Sequence, residues 1–324
     1  MSACALTLTG CAPGTAKAGP QMQGLSWVTF DVSPDEKTIV FSGTGQGGLG
    51  LYLLDLATNQ VTRFLDTPAY ENYPAFSPDG KSVVYQSAKD LSAPRFLFIR
   101  SLDGKRVRQL TNTPNVADDH PSFSPDGKQI VFARSQYFHA GTRGENTWSD
   151  IDVFLINRNG SGLRQLTHFK SQGVIRPRFC PDSQHVLYEH TIIGGTPATG
   201  MTDRTPIEEL DTARPSLVRK VVEFGSYGDS SPYPFPNGRS LIFFSSFEGS
   251  VDLYRAPLQG GTPQSILAGD RGTGYTDPVV TRDGQHIYCK GMYGPTLVMM
   301  NANGSGLRQI AGRDLFGDPM HWKP

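Results

Sequence analysis

Three histidines, His120, His139 and His190, are the residues of this sequence best suited to hold a metal ion, provided that the fold brings them together. Imidazole nitrogens are common metal ligands, and a bound metal would supply Lewis-acid chemistry. No two of the seven histidines have ligand spacing on one predicted strand, because His185 and His190 straddle a strand and a loop. A metal site on His120, His139 and His190 is therefore kept as an alternative hypothesis.

Nucleophilic catalysis finds no support in the sequence. There is no Gly-x-Ser-x-Gly motif of the kind that presents a serine nucleophile. The four cysteines are widely scattered, and Cys180 and Cys289 are predicted to be small buried residues too far apart to form a disulfide. We therefore predict no catalytic residues, no metal and no cofactor, and the metal site above is the enzyme alternative.

A set of polar and aromatic residues, each immediately before a proline, recurs along the chain at a regular distance. Its members are Tyr73, His120, Arg176, Ser231, Asp277 and Asp318. A recurrence of this kind indicates that a repeated structural element positions the residues, so the repeat decides what they can do.

The repeat is centred on a turn motif. Phe-Ser-Pro-Asp-Gly-Lys occupies 76–81 and 123–128, and looser copies occupy 32–37, 179–184, 235–239 and 281–285. Proline presets φ, aspartate bonds back to the backbone and glycine accepts positive φ, which predicts a tight hairpin in each copy. An alternating β-branched and aromatic strand follows each turn, and two further strands complete the unit. The sequence predicts an all-β fold, a six-bladed β-propeller of four-stranded antiparallel blades.

Strand direction alternates within a blade, so the residues before the prolines should surround one end of the central channel. Two long insertions, 134–150 and 190–206, should rise from the same face in consecutive blades, and loops this long are often functional. We therefore predict a binding site at this face. Its predicted residues are Tyr73, His120, Tyr137, His139, Arg143, Trp148, Arg176, His190, Asp277 and Asp318. Two alternatives stay open: a ring that only solvates the channel mouth, and insertions that are disordered excursions.

The N-terminal residues are predicted to form a lipid anchor and not a part of the propeller. Leu-Thr-Gly-Cys at 8–11 resembles a bacterial lipobox, in which Cys11 would carry lipid and the following residues would form a flexible tether. Residues 1–23 are thus assigned to signal and tether, and 24–324 to the propeller. With 30 Lys+Arg against 30 Asp+Glu, no net charge would attract nucleic acid or an anionic membrane. We expect a monomer in the periplasm or cell envelope, with contact to the membrane only through Cys11.

The turn motif, the aromatic second strand and the Arg-Gln-Leu-Thr ending at 108–111 and 164–167 resemble the repeats of the TolB-like β-propeller family and of the propellers that precede prolyl-oligopeptidase hydrolase domains. TolB has an α/β domain before its propeller, which we expect this chain to lack. The resemblance implies a non-catalytic exported propeller that binds a protein, peptide or glycan at its channel mouth. Some polysaccharide lyases have similar repeats with histidine-bound metal, so a metal-dependent lyase acting on acidic oligosaccharides is the alternative.

Overall fold

The computed structural model describes residues 26–45, 48–65, 67, 69–90, 93–139, 147–169, 174–192, 205–224, 229–246, 251–267, 274–292 and 296–311. These residues form six four-stranded antiparallel sheets, each built from four strands that are consecutive in sequence. The predicted all-β, six-bladed propeller is confirmed. None of the described residues belongs to a helix that could span a membrane.

Each blade is named by its order in the chain. The strands of blade 1 are β1 (Ser26–Val32), β2 (Thr38–Gly45), β3 (Gly48–Asp55) and β4 (Val61–Arg63). Blades 2 and 3 contain β5 (Tyr70–Phe76), β6 (Ser82–Ala88), β7 (Phe96–Ser101), β8 (Val107–Gln109), β9 (Ala117–Phe123), β10 (Gln129–His139), β11 (Thr147–Asn157) and β12 (Arg164–Gln165). Blades 4 to 6 contain β13 (Val174–Phe179), β14 (His185–His190), β15 (Ile207–Asp211), β16 (Val218–Val222), β17 (Asp229–Pro234), β18 (Ser240–Ser245), β19 (Asp252–Pro257), β20 (Gln264–Ser265), β21 (Tyr275–Val280), β22 (His286–Gly291), β23 (Leu297–Asn301) and β24 (Arg308–Ala311).

The turn between the first and second strands explains why the repeat motif is needed. In blade 2 the Ser77 hydroxyl donates to Asp79 Oδ1 at 2.5 Å and accepts from the Ser82 amide at 3.0 Å, while the Lys81 amide donates to Asp79. Gly80 follows with φ of 67°, in the left-handed region. These local bonds satisfy the backbone of the turn before any contact between blades is made.

The hydrophobic core lies between blades rather than inside them. Every neighbouring pair of blades, including blades 6 and 1, shares a cluster of buried residues. The predicted aromatic residue of each second strand is buried in one of these clusters: Phe41, Tyr85, Phe132, Tyr188, Phe243 and Tyr288. A blade buries both of its faces only by contacting two neighbours, so ring closure completes the core.

Two local expectations differ from the structure. The insertion 134–150, predicted as a loop, is largely an extension of the hairpin, because β10 continues to His139 and β11 begins at Thr147. Two fourth strands are shorter than the strands predicted at 107–111 and 163–167: β8 ends at Gln109 and β12 has two residues, because this outermost strand has a partner on one side only. The predicted buried thiols are confirmed, since Cys180 and Cys289 are both free and buried.

Candidate functional site at the channel mouth

Five of the residues that precede a proline share one unusual backbone conformation. Their φ angles lie between 51° and 53°, in the left-handed region that non-glycine residues rarely adopt: Tyr73, His120, Arg176, Ser231 and Asp277. The pairing of first and second strands shifts register at each of these positions. A β-bulge of this kind redirects side chains, and here it gathers all five around a channel opening of about 60 Å³.

Tyr73 and His120 form a stacked pair at this opening. Their ring centroids are 3.7 Å apart with an interplanar angle of 33°. His120 Nδ1 is buried and has no hydrogen-bond partner among the described residues. Burial, together with the charges of Arg176 and Arg95, holds the pKa of His120 well below its usual value, while burial raises the pKa of Tyr73 to about 12. The pair is therefore uncharged at neutral pH, with one nitrogen free to accept or donate.

Arg176 is the centre of a charged network that joins blades 4, 5 and 6. Its guanidinium lies 3.3 Å from Glu189 and 3.5 Å from Asp277, and donates to Ser230 Oγ at 2.8 Å. Glu189, buried at the end of β14, also accepts from the Ser231 amide at 2.6 Å. Burial raises the pKa of Glu189, and the facing Arg176 opposes that shift. The network fixes Arg176 in one orientation at the mouth.

Two ion pairs support the same opening from blade 3. Asp118 receives a bidentate contact from Arg134, at 2.6 and 2.8 Å, and both side chains are buried. Asp119, next in sequence, lies 3.0 Å from Arg95 of the preceding blade. Burial raises the pKa of Asp119 to about 6 although Arg95 acts to lower it. These pairs hold the strand that carries His120.

His190 belongs to a second cluster on the outer part of the same face. Its ring stacks on Phe169 with centroids 4.3 Å apart, and its Nδ1 lies 3.1 Å from Glu208. Buried Asp152 fixes Phe169 by accepting from its backbone amide at 2.8 Å. Phe169 remains 37% exposed and Ile192 41% exposed. The described contacts of His190 therefore share no residue with those of His120.

The three-histidine metal hypothesis was tested against the donors present. His120 and His190 have the separate contacts given above, and the side chain of His139 lies outside the described residues. Within the described part of the chain, one group of three potential ligands has its donor atoms within 4.8 Å of one another: Glu36, Asp283 and His286. That group lies on the opposite face, in the turns of blades 1 and 6, where Glu36 already accepts from His286 Nδ1 at 2.9 Å. The described mouth residues do not assemble a metal site.

The predicted site residues divide into four sets. Tyr73, His120, Arg176 and Asp277 are brought together at the mouth, whereas His190 lies in the Phe169 cluster. Tyr137, His139 and Trp148 are placed on β10 and β11 by their backbones only. Arg143, Asp318 and Cys11 lie outside the described residues. Sequence reasoning missed Glu189, Phe169 and Arg95; a charged residue at the end of a second strand was a usable signal only for Glu189.

Comparison with known proteins agrees with this architecture. The family described as the TolB beta propeller domain matches residues 27–136. The Tol-Pal system protein TolB of Francisella tularensis subsp. mediasiatica (strain FSC147) is 27% identical over 241 residues, which cover 74% of this chain and 50% of that protein. The chain is a six-bladed β-propeller similar to that of TolB. A second relative of the same name, from Francisella tularensis subsp. holarctica (strain OSU18), is 34% identical over 79 residues, or 24% of this chain and 18% of that protein.

Solved structures place the TolB-like propeller among proteins of several activities. TolB from Acinetobacter baumannii aligns over 89% of this chain and 63% of its own, with a TM-score of 0.60 and 16% identity. An oligogalacturonate lyase in complex with manganese aligns over 89% of this chain and 77% of its own, with a TM-score of 0.63 and 15% identity. At these identities the likeness concerns the fold alone. The TolB-like propeller also spans about half the length of the full curated relative that it matches.

Proposed function

We propose that this TolB-like propeller is a non-catalytic binding module that docks a protein partner of the cell envelope at its channel mouth. The observation that carries the proposal is the mouth itself. Tyr73, His120 and Arg176, from three consecutive blades, are held by bulged strands and a shared polar network before any partner arrives. Aromatic and arginine side chains in fixed positions are the residue types that dominate binding energy at protein interfaces.

The Phe169 cluster supports a protein rather than a small ligand. A mouth cavity of about 60 Å³ is too small for a drug-sized molecule. Phe169 and Ile192 are apolar and partly exposed beyond strand ends on the same face. A broad surface with a central aromatic and arginine group suits a protein epitope. Tyr137, His139, Arg143, Trp148 and Asp318 complete the proposed surface.

The proposed location follows from the relatives. The matched curated proteins are named as members of a Tol-Pal system, and we extend an envelope location to this chain on that basis. Lipid attachment at Cys11 and a monomeric state belong to the same proposal. A free peptide or a glycan bound at the same face is the alternative ligand.

Site-specific photo-crosslinking tests the proposal. A benzophenone amino acid is placed at Phe169, on the mouth face, and in a matched variant at Lys128, on the opposite face. Each protein is irradiated with the purified Pal component of the same organism's Tol-Pal system. We expect an adduct from position 169, reduced by Arg176→Ala, and none from position 128. Adducts from position 128 alone, or equal adducts with and without Arg176→Ala, would refute a mouth-face site.

The lyase alternative has one observation in its favour, the unpartnered Nδ1 of His120 at a channel mouth. A neutral imidazole of this kind is a competent metal ligand. Metal analysis of the purified protein and of a His120→Asn variant separates the alternatives. A binding module should contain no stoichiometric manganese and should not cleave oligogalacturonate. Stoichiometric metal that is lost in His120→Asn, together with cleavage, would favour the lyase.

A further inference from the structure

The channel has a second chamber, on the face opposite the mouth. It encloses about 350 Å³ and is formed by the first strands and the turns that follow them. We call it the turn-face cavity, and its lining includes Arg178, Tyr233, Phe76, Phe123, Phe179 and Arg282. Ser122 and Arg178 also line the mouth cavity, so they mark the level at which the two chambers meet. Every turn on this face lies within the described residues.

The wall of the turn-face cavity is apolar and rigid. The proline of the repeat motif lines it in five blades: Pro34, Pro78, Pro125, Pro181 and Pro236. Proline has a fixed φ and little side-chain entropy to lose, so this wall is formed before any ligand binds. Three phenylalanines of the same motif, Phe76, Phe123 and Phe179, also line the cavity. A chamber of this size and composition falls at the small end of the range for small-molecule sites.

The charge within this apolar wall is positive. Three charged residues line the cavity: Asp31, Arg178 and Arg282. Asp31 is 6% exposed and accepts from the Phe76 amide at 2.7 Å. Burial raises the pKa of Asp31, and the charge of Arg178 opposes that shift, so two arginines stand against one aspartate in this cavity. Arg282 lies at the rim, where it donates to the Pro78 carbonyl. Arg178 is the charged group at the inner end.

A cation–π contact fixes the Arg178 guanidinium and leaves its N–H donors available. Its guanidinium carbon lies 4.2 Å from the centroid of the Tyr233 ring, which fixes its plane. Among the described residues the guanidinium makes no hydrogen bond and no close ion pair, its electrostatic partner in the cavity is Asp31, and the residue is partly exposed. Arg176, two residues away, has three polar partners. A guanidinium with accessible donors at the end of an apolar chamber suits a planar carboxylate.

We infer that the turn-face cavity binds a small organic carboxylate, with the carboxylate on Arg178 and an apolar body against the proline and phenylalanine wall. The inference concerns the face opposite the proposed protein surface and does not depend on it. The apolar wall selects against inorganic anions, which gain nothing from it. Arg178 selects against neutral molecules of the same shape, because they cannot form the charge-assisted pair.

Matched ligands test the inference on the unmodified protein. Binding of 3-phenylpropionate, benzoate and cyclohexanecarboxylate is measured by ligand-observed NMR and calorimetry. The uncharged control is 3-phenylpropionamide, and acetate is the control that lacks a large apolar group. We expect the best acid to bind at least tenfold more tightly than 3-phenylpropionamide and than acetate. No saturable binding of any of the three acids at 10 mM, or equal binding of acid and amide, would overturn the inference.

Matched variants locate the site. Arg178→Met keeps the length of the side chain against Tyr233 and removes its charge, and should weaken the acid at least tenfold, whereas Arg178→Lys should retain part of the affinity. Lys128→Gln removes a charge that is exposed on the same face and should leave affinity unchanged. If Arg178→Met does not fold, amide chemical shifts of the unmodified protein decide instead. They should move at Val280 and Thr281 of the cavity, and movement confined to the Tyr73 region would refute the location.

Discussion

The rings of Tyr73 and His120 face each other at 3.7 Å across the junction of blades 2 and 3, each on a residue with positive φ. Neither residue belongs to a local turn, so the contact depends on two bulged strands being positioned by the whole ring. Because Arg176 and Arg95 add positive charge around a buried imidazole, protonation of His120 is opposed from two sides.

The state of His120 predicts a pH dependence of stability. Its pKa is depressed in the folded state from an ordinary 6.5, so the unfolded chain takes up a proton first and the folded state loses stability as pH falls below about 6.5. Between pH 7.5 and 5.0 this group should cost up to about 2 kcal/mol. His120→Phe, which keeps an aromatic ring against Tyr73, should show a flatter dependence in urea titrations. Asp119, with a pKa raised to about 6, contributes with the opposite sign in both proteins. Parallel pH curves for the two proteins would show that His120 protonates freely.

The buried pair of Arg134 and Asp118 predicts a large loss on truncation. Arg134 is 4% exposed and Asp118 fully buried, with contacts of 2.6 and 2.8 Å. Arg134→Met would leave a buried carboxylate without its counter-charge, and should lower the free energy of unfolding by about 3 to 5 kcal/mol. The exposed pair of Lys128 and Asp126, at 3.4 Å, is the control. Lys128→Met should change stability by less than about 1 kcal/mol in the same denaturation assay, and a similar loss in both variants would contradict this reasoning.

Ser183 predicts a stabilising substitution. It takes the position that glycine occupies in four of the repeat turns, with φ of 59°. Its side chain makes no hydrogen bond within the described residues, so Ser183→Gly removes strain without removing a contact. We expect a gain of about 0.5 to 1 kcal/mol. The reciprocal change, Gly238→Ala, should cost about 1 kcal/mol, since φ is 66° and no atom lies within 4 Å of the added Cβ. Thermal melts that shift in the same direction for both variants would rule out this explanation.

Trp148 predicts a change in binding without a change in stability. Its backbone pairs with Phe138 in the extended hairpin of blade 3, on the mouth face. If the mouth binds a protein, Trp148→Ala should weaken binding of the Pal probe by about 1 to 4 kcal/mol and leave the melting temperature nearly unchanged. Asp126→Ala, on the turn face, should leave binding intact. Unfolding of the ring by Trp148→Ala with unchanged affinity would make the hairpin structural.

Cys11 predicts lipid attachment. Expressed in a bacterial host with an upstream signal sequence, the chain should incorporate labelled palmitate, and Cys11→Ser should abolish the label. Cys180→Ser serves as the control, because that thiol is buried and burial raises its pKa, which leaves it unreactive. Labelling that persists in Cys11→Ser would show that Leu-Thr-Gly-Cys at 8–11 is not a lipobox.

The sequence predicts the features that depend on interactions within one turn or one blade. Asp79, Asp126 and Asp283 each bond back within their own turn, so the turn motif specified six hairpins and the register of the second strands. The ring of residues before the prolines followed from the strand direction in the same repeat. Each of these inferences required only the sequence of a single blade.

The rest depended on relations between blades. Glu189 became part of the site by accepting from Ser231 of the next blade, and Phe169 by stacking on His190 beyond a blade boundary. Arg178 is the residue after Pro177, a position that is small or apolar in blades 2 and 6, as Ala75 and Val279 show. The arginine at this position was visible in the sequence. Its role could be inferred only once the structure showed that this position faces the channel axis. The length of the blade 3 hairpin depends on the pairing between β10 and β11, and no turn motif in the sequence predicts that pairing.

Within the described residues, the junction of blades 6 and 1 consists of a buried cluster that includes Phe41 and Tyr288, and no strand is shared between the two blades. No described strand of one blade extends the sheet of the next; an isolated parallel bridge between Arg95 and Ala117 is a backbone contact between blades 2 and 3. The described strands of blades 6 and 1 therefore meet at a seam. When tension is applied to the two ends of the chain, in an optical trap for example, we expect blades 6 and 1 to separate first, seen as a short early extension. Single blades should then unfold one after another. The first extension is short because hydrophobic packing breaks over a shorter distance than a strand that must be peeled from its neighbour.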